Sequence, residues 1–311
     1  MKRFAIIKNS FIWLTIGLIL IVWSHFVFWK NLNLSIQFTG WVEIKTDAKL
    51  SSQEVNDALR PKLKEIWYEN PTITVSQQDS LTTILLQVNV DSSWQVQQLS
   101  KAVSEYVSSK WQILEQSVIG ASVGEFVKNS AMKAIIAWLL FIAIYMMFTF
   151  SAVREMVSPL ILAVITVVTL LFDISIPAGA YGVLTAINPT IQVDLVFIAA
   201  ILTIMWYSIN DTIIIFDRVR ENNKIHEWQL KSGKMTYMQI FEDSLWQTMR
   251  RSLWTSLAAM IMIVAMWIFG TGIIKTFSYV IGAGIVAGTA SSIFIAAPLA
   301  YICVKWTKGR K

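Results

Sequence analysis

Six runs of apolar residues are set along the chain. Each approaches the ~20 residues a helix needs to cross the hydrocarbon of a bilayer. They lie near Phe11–Trp29, Ala131–Phe150, Leu160–Leu184, Val193–Phe216, Leu253–Phe269 and Phe277–Val304. Between the first and second runs, from Lys30 to Lys128, the pattern changes to short alternating stretches. Leu34–Lys45 reads as a strand, and Ser51-Ser52-Gln53-Glu54 as a helix start with a capping box. Val55, Leu59, Leu63 and Ile66 then recur at helical spacing, with Pro61 set to kink or split that helix. Thr72–Val75 and Leu81–Val90 are β-rich and flank a polar hairpin, Gln77-Gln78-Asp79-Ser80. Asp91-Ser92-Ser93 caps a second helix carrying Val96, Leu99, Val103, Tyr106 and Val107 on one face, and Glu115–Val123 returns as a strand. The order β-α-β-β-α-β predicts a split βαβ, ferredoxin-like α+β domain. The expected fold class is therefore an α-helical membrane protein, a six-span bundle with one such domain outside it.

Composition agrees with a membrane protein. Of 311 residues, 55% are hydrophobic, which excludes an ordinary soluble globule. The net charge of +6 reads as basic loops at a membrane face before it reads as nucleic-acid binding. Lys2, Arg3 and Lys8 precede the first run, Arg154 follows the second, and Arg218, Arg220, Lys224, Lys231, Lys234, Arg250 and Arg251 lie between the fourth and fifth. Lys305, Lys308, Arg310 and Lys311 follow the sixth, whereas the short loops on the other side carry only Lys275. The positive-inside rule then puts both termini in the cytoplasm. The expected organisation is residues 1–29 as N-terminus and first span, 30–128 as extracytoplasmic domain, 129–304 as a five-helix bundle with a cytoplasmic loop at 217–252, and 305–311 as a basic tail. The first run lacks a small-residue cleavage site and reads as a retained anchor. Cys303 is the only cysteine, so the external domain has no disulfide.

Polar residues inside the apolar runs carry the candidate chemistry. Ser208, Asn210 and Asp211 interrupt the fourth run, and Asp173 interrupts the third at a depth of roughly 20 Å. A carboxylate in hydrocarbon must face protein, water or an opposite charge. Asp194, by contrast, reads as a helix-start residue. Asp211 lies about 25 Å along its helix from Asp194, and Arg251 reaches a similar depth from the opposite direction, so an ion pair between them fits the spacing. A carboxylate whose ionisation follows the position of an arginine is minimal equipment for proton coupling. The competing reading of Arg251, and more so of Arg250, is a snorkelling anchor. Pro177, Gly179 and Gly182 predict an irregular, tightly packed outer half of the third span, and Gly284-x-x-x-Gly288 a close helix contact in the sixth. No phosphate-binding Gly-x-x-x-x-Gly-Lys-Ser/Thr occurs, and His25 and His226 fall on opposite sides. The expectation is no enzyme, no metal and no cofactor, with a proton or sodium gradient as energy source.

The segment Tyr207-Ser208-Ile209-Asn210-Asp211-Thr212 through Phe216-Asp217-Arg218-Val219-Arg220-Glu221-Asn222 resembles the GYS-[LI]-ND-[TS]…FDRIREN pattern of the SecF branch of the SecD/SecF protein-export family, within the RND superfamily. Gln247-Thr248-Met249-Arg250-Arg251-Ser252-Leu253 with Thr255-Ser256 is similar to its QTL-x-RTL-x-TS, an alignment that selects Arg251 over Arg250. Gly288–Leu299 and Ile119-Gly120-Ala121-Ser122-Val123-Gly124 add two further matches. Three segments depart from the pattern. Trp206 replaces a glycine, Gln37-Phe38-Thr39-Gly40-Trp41-Val42 lacks the acid and second glycine of DFTGGT, and Phe172-Asp173 replaces a His-Asp pair. The loop between Arg220 and Arg251 is several residues longer than usual. The resemblance implies a bacterial cytoplasmic-membrane protein that works with SecD and the SecYEG channel, in contact with exported polypeptide and lipid. It implies half of a pseudo-symmetric twelve-helix arrangement. Asp211, Arg251 and Asp173 would then form a proton relay, with Ser208 and Asn210 as polar support. Two other readings compete. One is an RND-like transporter of small molecules or lipids, and the other a non-conducting structural subunit of the translocase.

Overall fold

The computed structural model describes residues 5–39, 42–46, 52–65, 72–78, 81–87, 101, 104–105, 112–118, 121–151, 158–188 and 191–308. In chain order these form α1 (Ser10–Lys30), α2 (Ile36–Thr39), β1 (Val42–Thr46), α3 (Ser52–Glu65), β2 (Thr72–Gln78), β3 (Leu81–Gln87) and β4 (Ile113–Val118). There follow α4 (Ala121–Thr149), α5 (Pro159–Ile187), α6 (Leu195–Ile225), α7 (Glu227–Lys231), α8 (Tyr237–Phe269), α9 (Ile273–Ser291), a π-helical turn (Ser292–Ala296) and α10 (Ala297–Lys308). Six helices among the described residues are long and apolar enough to cross a membrane, the last running continuously over Ile273–Thr307. The chain divides into two compact units, residues 32–134 with 184–195, and residues 1–31 with 135–183 and 196–311.

The first unit holds an antiparallel sheet in the order β2-β3-β1-β4. Strand β1 is shorter than the pattern of Leu34–Lys45 predicts. Ser35 starts a helical turn instead, its carbonyl accepting from Phe38 N–H and its hydroxyl from Gln37 N–H. Leu34 forms only an isolated bridge with Val193. Helix α3 runs through Pro61 without splitting. Strand β4 ends at Val118, earlier than predicted, and helix begins at Ala121. The N-cap at Ser51, Trp41, Ile119-Gly120, the tip of the predicted hairpin and most of the predicted second helix lie outside the described residues.

The helical unit differs from expectation in three places, each with a local cause. Pro177 lies inside α5, yet the helix continues to Ile187. The continuity rests on close packing, since a Cβ on Gly179 would come within 2.6 Å of Ser24 and one on Gly182 within 2.8 Å of Phe28. The segment 217–252 is mostly helix, with α6 extended past Phe216 by the i,i+3 pairs Asp217–Arg220 and Glu221–Arg218. Helix α8 starts at a capping box in which Thr236 accepts from Gln239 N–H and Gln239 accepts from Thr236 N–H. The sixth span widens into its π turn without breaking. Pro298 has no amide for the Phe294 carbonyl, and the backbone just ahead widens, Ala297 N–H bonding to Ser292 O.

Candidate functional site

Helix α6 supplies the centre of the site. Its Ile204, Ser208, Asp211 and Thr212 are buried, while Thr203, Trp206 and Asn210 are exposed on another face. Two glycines of α9 bring the buried face into contact. A Cβ on Gly284 would sit 2.2 Å from Ile204 Cδ1, and one on Gly288 2.9 Å from Ser208 Cβ. The small-residue pair of the sixth span therefore exists to let α9 approach α6, and specifically to admit Ser208.

Ser208 donates to Asp173 Oδ2 of α5 at 2.5 Å. Asp173 is fully buried, at 0% exposure, and its second oxygen has no hydrogen-bond partner among the described residues. Ser291 faces the same carboxylate, but its hydroxyl donates to Gly288 O at 3.0 Å. Pro177, four residues on, has no N–H to offer the Asp173 carbonyl. That proline thus leaves the backbone oxygen of the acid short of its helical donor.

One turn along α6, Asp211 is 5% exposed. Its Oδ1 accepts from Ser252 of α8 at 3.0 Å, and its Oδ2 is buried without a partner. Here the expected ion pair does not form. Among the described residues no salt bridge joins Asp211 to Arg251, whose side chain is exposed beside the equally exposed Arg250. Consecutive residues point about 100° apart on a helix, and the turn that faces Asp211 presents Ser252.

Hydroxyls extend this buried polar seam. Thr212 Oγ1 and Ser292 Oγ lie 2.9 Å apart, so the π turn of the sixth span touches α6 at the turn that carries Asp211. Ser292 also donates to Gly288 O at 3.0 Å. Tyr207 donates to Ser256 Oγ at 3.0 Å, and Ser256 Oγ lies 2.6 Å from Thr289 Oγ1. Pattern and spacing along the chain do not single out Ser252, Thr212, Ser292 or the Tyr207–Ser256–Thr289 chain. All six of these residues lie within the motif segments quoted above, and that was the signal available. Asn210 does not join the seam. Its amide donates to Trp206 O of its own helix, which explains its presence without a role at the carboxylates.

The departures noted in the sequence have local answers. Trp206 is exposed and meets Trp138 of α4 with ring centroids 5.9 Å apart, so the bulk that replaces glycine is not forced into the core. Phe172 is buried near Gly17 of α1, whose built Cβ would lie 3.7 Å from the Phe172 ring. The aromatic ring therefore packs where a histidine would have needed hydrogen-bond partners. Among the described residues no group of three or more His, Cys, Asp or Glu side chains could hold a metal ion.

Comparison with known proteins adds the family. Residues 98–306 match the family described as "Protein export membrane protein SecD/SecF, C-terminal". The chain is 30% identical to "Protein translocase subunit SecF" of Sebaldella termitidis, over 98% of this chain and 94% of that protein. It is 32% identical to the protein of the same description from Haemophilus influenzae, over 92% of this chain and 81% of that one. The crystal structure of SecDF, "a translocon-associated membrane protein" from Thermus thermophilus, superposes with a TM-score of 0.72 at 26% identity. That match covers 98% of this chain but 39% of the longer SecDF chain. Six apolar helices, a family match over most of the bundle and relatives aligned nearly end to end make this chain a multi-pass membrane protein of the SecD/SecF family, on its SecF side.

Proposed function

We propose that the chain is a Sec translocase subunit that uses proton-motive force, together with a SecD-type partner, to promote export of polypeptides through SecYEG. In this reading it sits in the bacterial cytoplasmic membrane with both termini in the cytoplasm. Its sheet unit is a ferredoxin-like extracytoplasmic domain that moves against the exported chain. The description of relatives as translocase subunits, one of them a fused SecDF, supports both the task and the partner.

One observation carries the proposal. Two carboxylates on neighbouring helices, Asp173 and Asp211, are buried, each with one oxygen held by a serine and the other without a partner among the described residues. A free carboxylate oxygen in a low-dielectric seam is where a proton can be taken up and released, at a cost that depends on the surroundings. Ser208 and Ser252 hold the carboxylates in place, and Arg251 is drawn toward Asp211 only when the helices move. The two acids sit on different helices, so a change in the charge of either alters how α5, α6 and α8 pack.

The test is export by membranes reconstituted with the chain, a SecD-type partner and the channel under an imposed proton gradient. Asp211→Asn should leave the complex assembled and abolish the gradient-dependent part of export. Unchanged export would overturn the proposal and favour a non-conducting structural subunit. Two observations keep that second reading in view: the exposed Arg251 without an ion pair and the aromatic Phe172 beside Asp173. The exchange Asp211→Arg with Arg251→Asp separates the two. Partial recovery of gradient dependence requires that the groups meet during the cycle.

A further inference from the structure

The turn that joins α6 to α8 is longer than the motif pattern leads one to expect, and the relay does not use it. It is a built element. Helix α7 closes with Gly233 at φ +73°. Gly233 N–H bonds to Leu230 O at 3.1 Å and Lys234 N–H to Gln229 O at 2.9 Å. These two bonds make a Schellman cap, which fixes the turn's shape. The turn exposes Ile225 at 64% and Trp228 at 68%. Lys234 Nζ lies over the Trp228 ring, 4.8 Å from its centroid.

Charge points the same way. The segment from Lys224 to Lys234 holds three lysines against one acid, Glu227. Lys231 pairs with that acid at 2.6 Å, and its hydrogen bond and then its charge hold the Glu227 carboxyl below its usual range. Among the described residues neither Lys224 nor Lys234 has an acidic partner.

The level of the turn is set by contacts within the bundle. Asn222 donates to Ser244 Oγ and Gln247 Oε1, so the end of α6 runs beside the start of α8. Phe241 of α8 meets Tyr301 of α10 edge-on. Five residues beyond Tyr301, about 7.5 Å along the helix, Trp306 is 71% exposed beside Lys305. Tryptophan flanked by lysine, repeated at one end of a membrane bundle, is the composition of the headgroup layer.

We propose that the α6–α8 turn is a docking platform for anionic lipid headgroups. Trp228 and Ile225 enter the interface, and Lys224, Lys231 and Lys234 take the phosphates. The occupant is the membrane's own anionic lipid rather than an acidic protein, because the platform is continuous with membrane-crossing helices and level with Trp306. The proposal rests on the six-helix membrane assignment alone, so failure of the export experiment leaves it standing.

The full chain carrying Cys303→Ser and Gln229→Cys, labelled at residue 229 with an environment-sensitive fluorophore, is placed in nanodiscs of phosphatidylcholine with or without phosphatidylglycerol. Uncharged acrylamide serves as quencher, so that surface potential does not distort the readout. Phosphatidylglycerol should shift emission to the blue and shield the label. Each Lys→Gln change at 224, 231 or 234 should raise the phosphatidylglycerol content needed for half-shielding, by about fivefold in lipid preference per lysine. Shielding independent of phosphatidylglycerol, or of the three lysines, overturns the proposal. Shielding that appears only on addition of soluble polyglutamate would also overturn it, and would assign the platform to an acidic protein.

Discussion

The bundle handles carboxylates in two ways, and the contrast is instructive. At the C-terminal end of α6 and in α7, acids meet bases. Glu221 accepts from Arg218 at 2.8 Å, Asp217 lies 3.2 Å from Arg220 and Glu227 lies 2.6 Å from Lys231, all with substantial exposure. Among the described residues, Asp173 and Asp211 in the buried seam meet no base and accept from the hydroxyls of Ser208 and Ser252. Exposed pairs extend a helix and add little energy, because water already solvates both charges. A buried acid has no water to solvate it, so its protein neighbours alone set the cost of holding it there. Chain position alone does not separate the two groups, since Asp211 and Asp217 lie on one helix six residues apart. Depth and the neighbouring helices do.

Breaking the seam's frame should have the largest effect on stability. Gly284→Leu has no space against Ile204 and should prevent the bundle from folding. Gly284→Ala, with its Cβ 2.2 Å from Ile204 Cδ1, should cost about 1–3 kcal/mol in detergent melts, partly restored by adding Ile204→Ala. A wild-type melt for Gly284→Ala would mean that α9 does not press on α6. Next comes the choice of neighbour. Ser252→Ala leaves Asp211 without its donor and should cost about 1–3 kcal/mol, more than Arg251→Ala measured alongside it. The reverse order would restore the ion pair expected from spacing.

A partly buried acid outside the seam gives an intermediate case. Glu242 accepts from the amides of Ile6 and Ile7, both at 2.9 Å, and so caps the start of the first span from α8. Glu242→Gln should cost about 1–2 kcal/mol and speed proteolysis at the N-terminus. Smallest is Arg218→Ala, where about 0.5 kcal/mol or less is expected, erased by salt. A larger loss there would erase the distinction between paired and seam acids.

Much of this was legible from local pattern. Hydropathy located six spans because a helix in lipid must be apolar over a fixed length. Asp173 and Asp211 stood out because a buried acid is expensive, and the family motif selected the same stretch of α6. The segment 217–222 read as the start of a loop, yet its acids and bases stand three apart, and in the structure those pairs carry α6 past the apolar run. In the sheet unit, alternation found the strands but placed their ends by composition, and so missed the turn that Ser35 starts.

The sequence by itself determined how many helices cross, which of their residues are polar and how deep each lies, because those properties depend on composition and rise along one axis. Only the tertiary structure decided which hydroxyl meets which acid. That depends on the rotation of each helix about its axis and on how near its neighbours come. Arg251 and Ser252 differ by one position and by about 100° of rotation, and it is Ser252 that α8 turns toward Asp211. The π turn at Ser292 belongs to the same category, since Pro298 announces a lost amide but not the direction in which the backbone will widen.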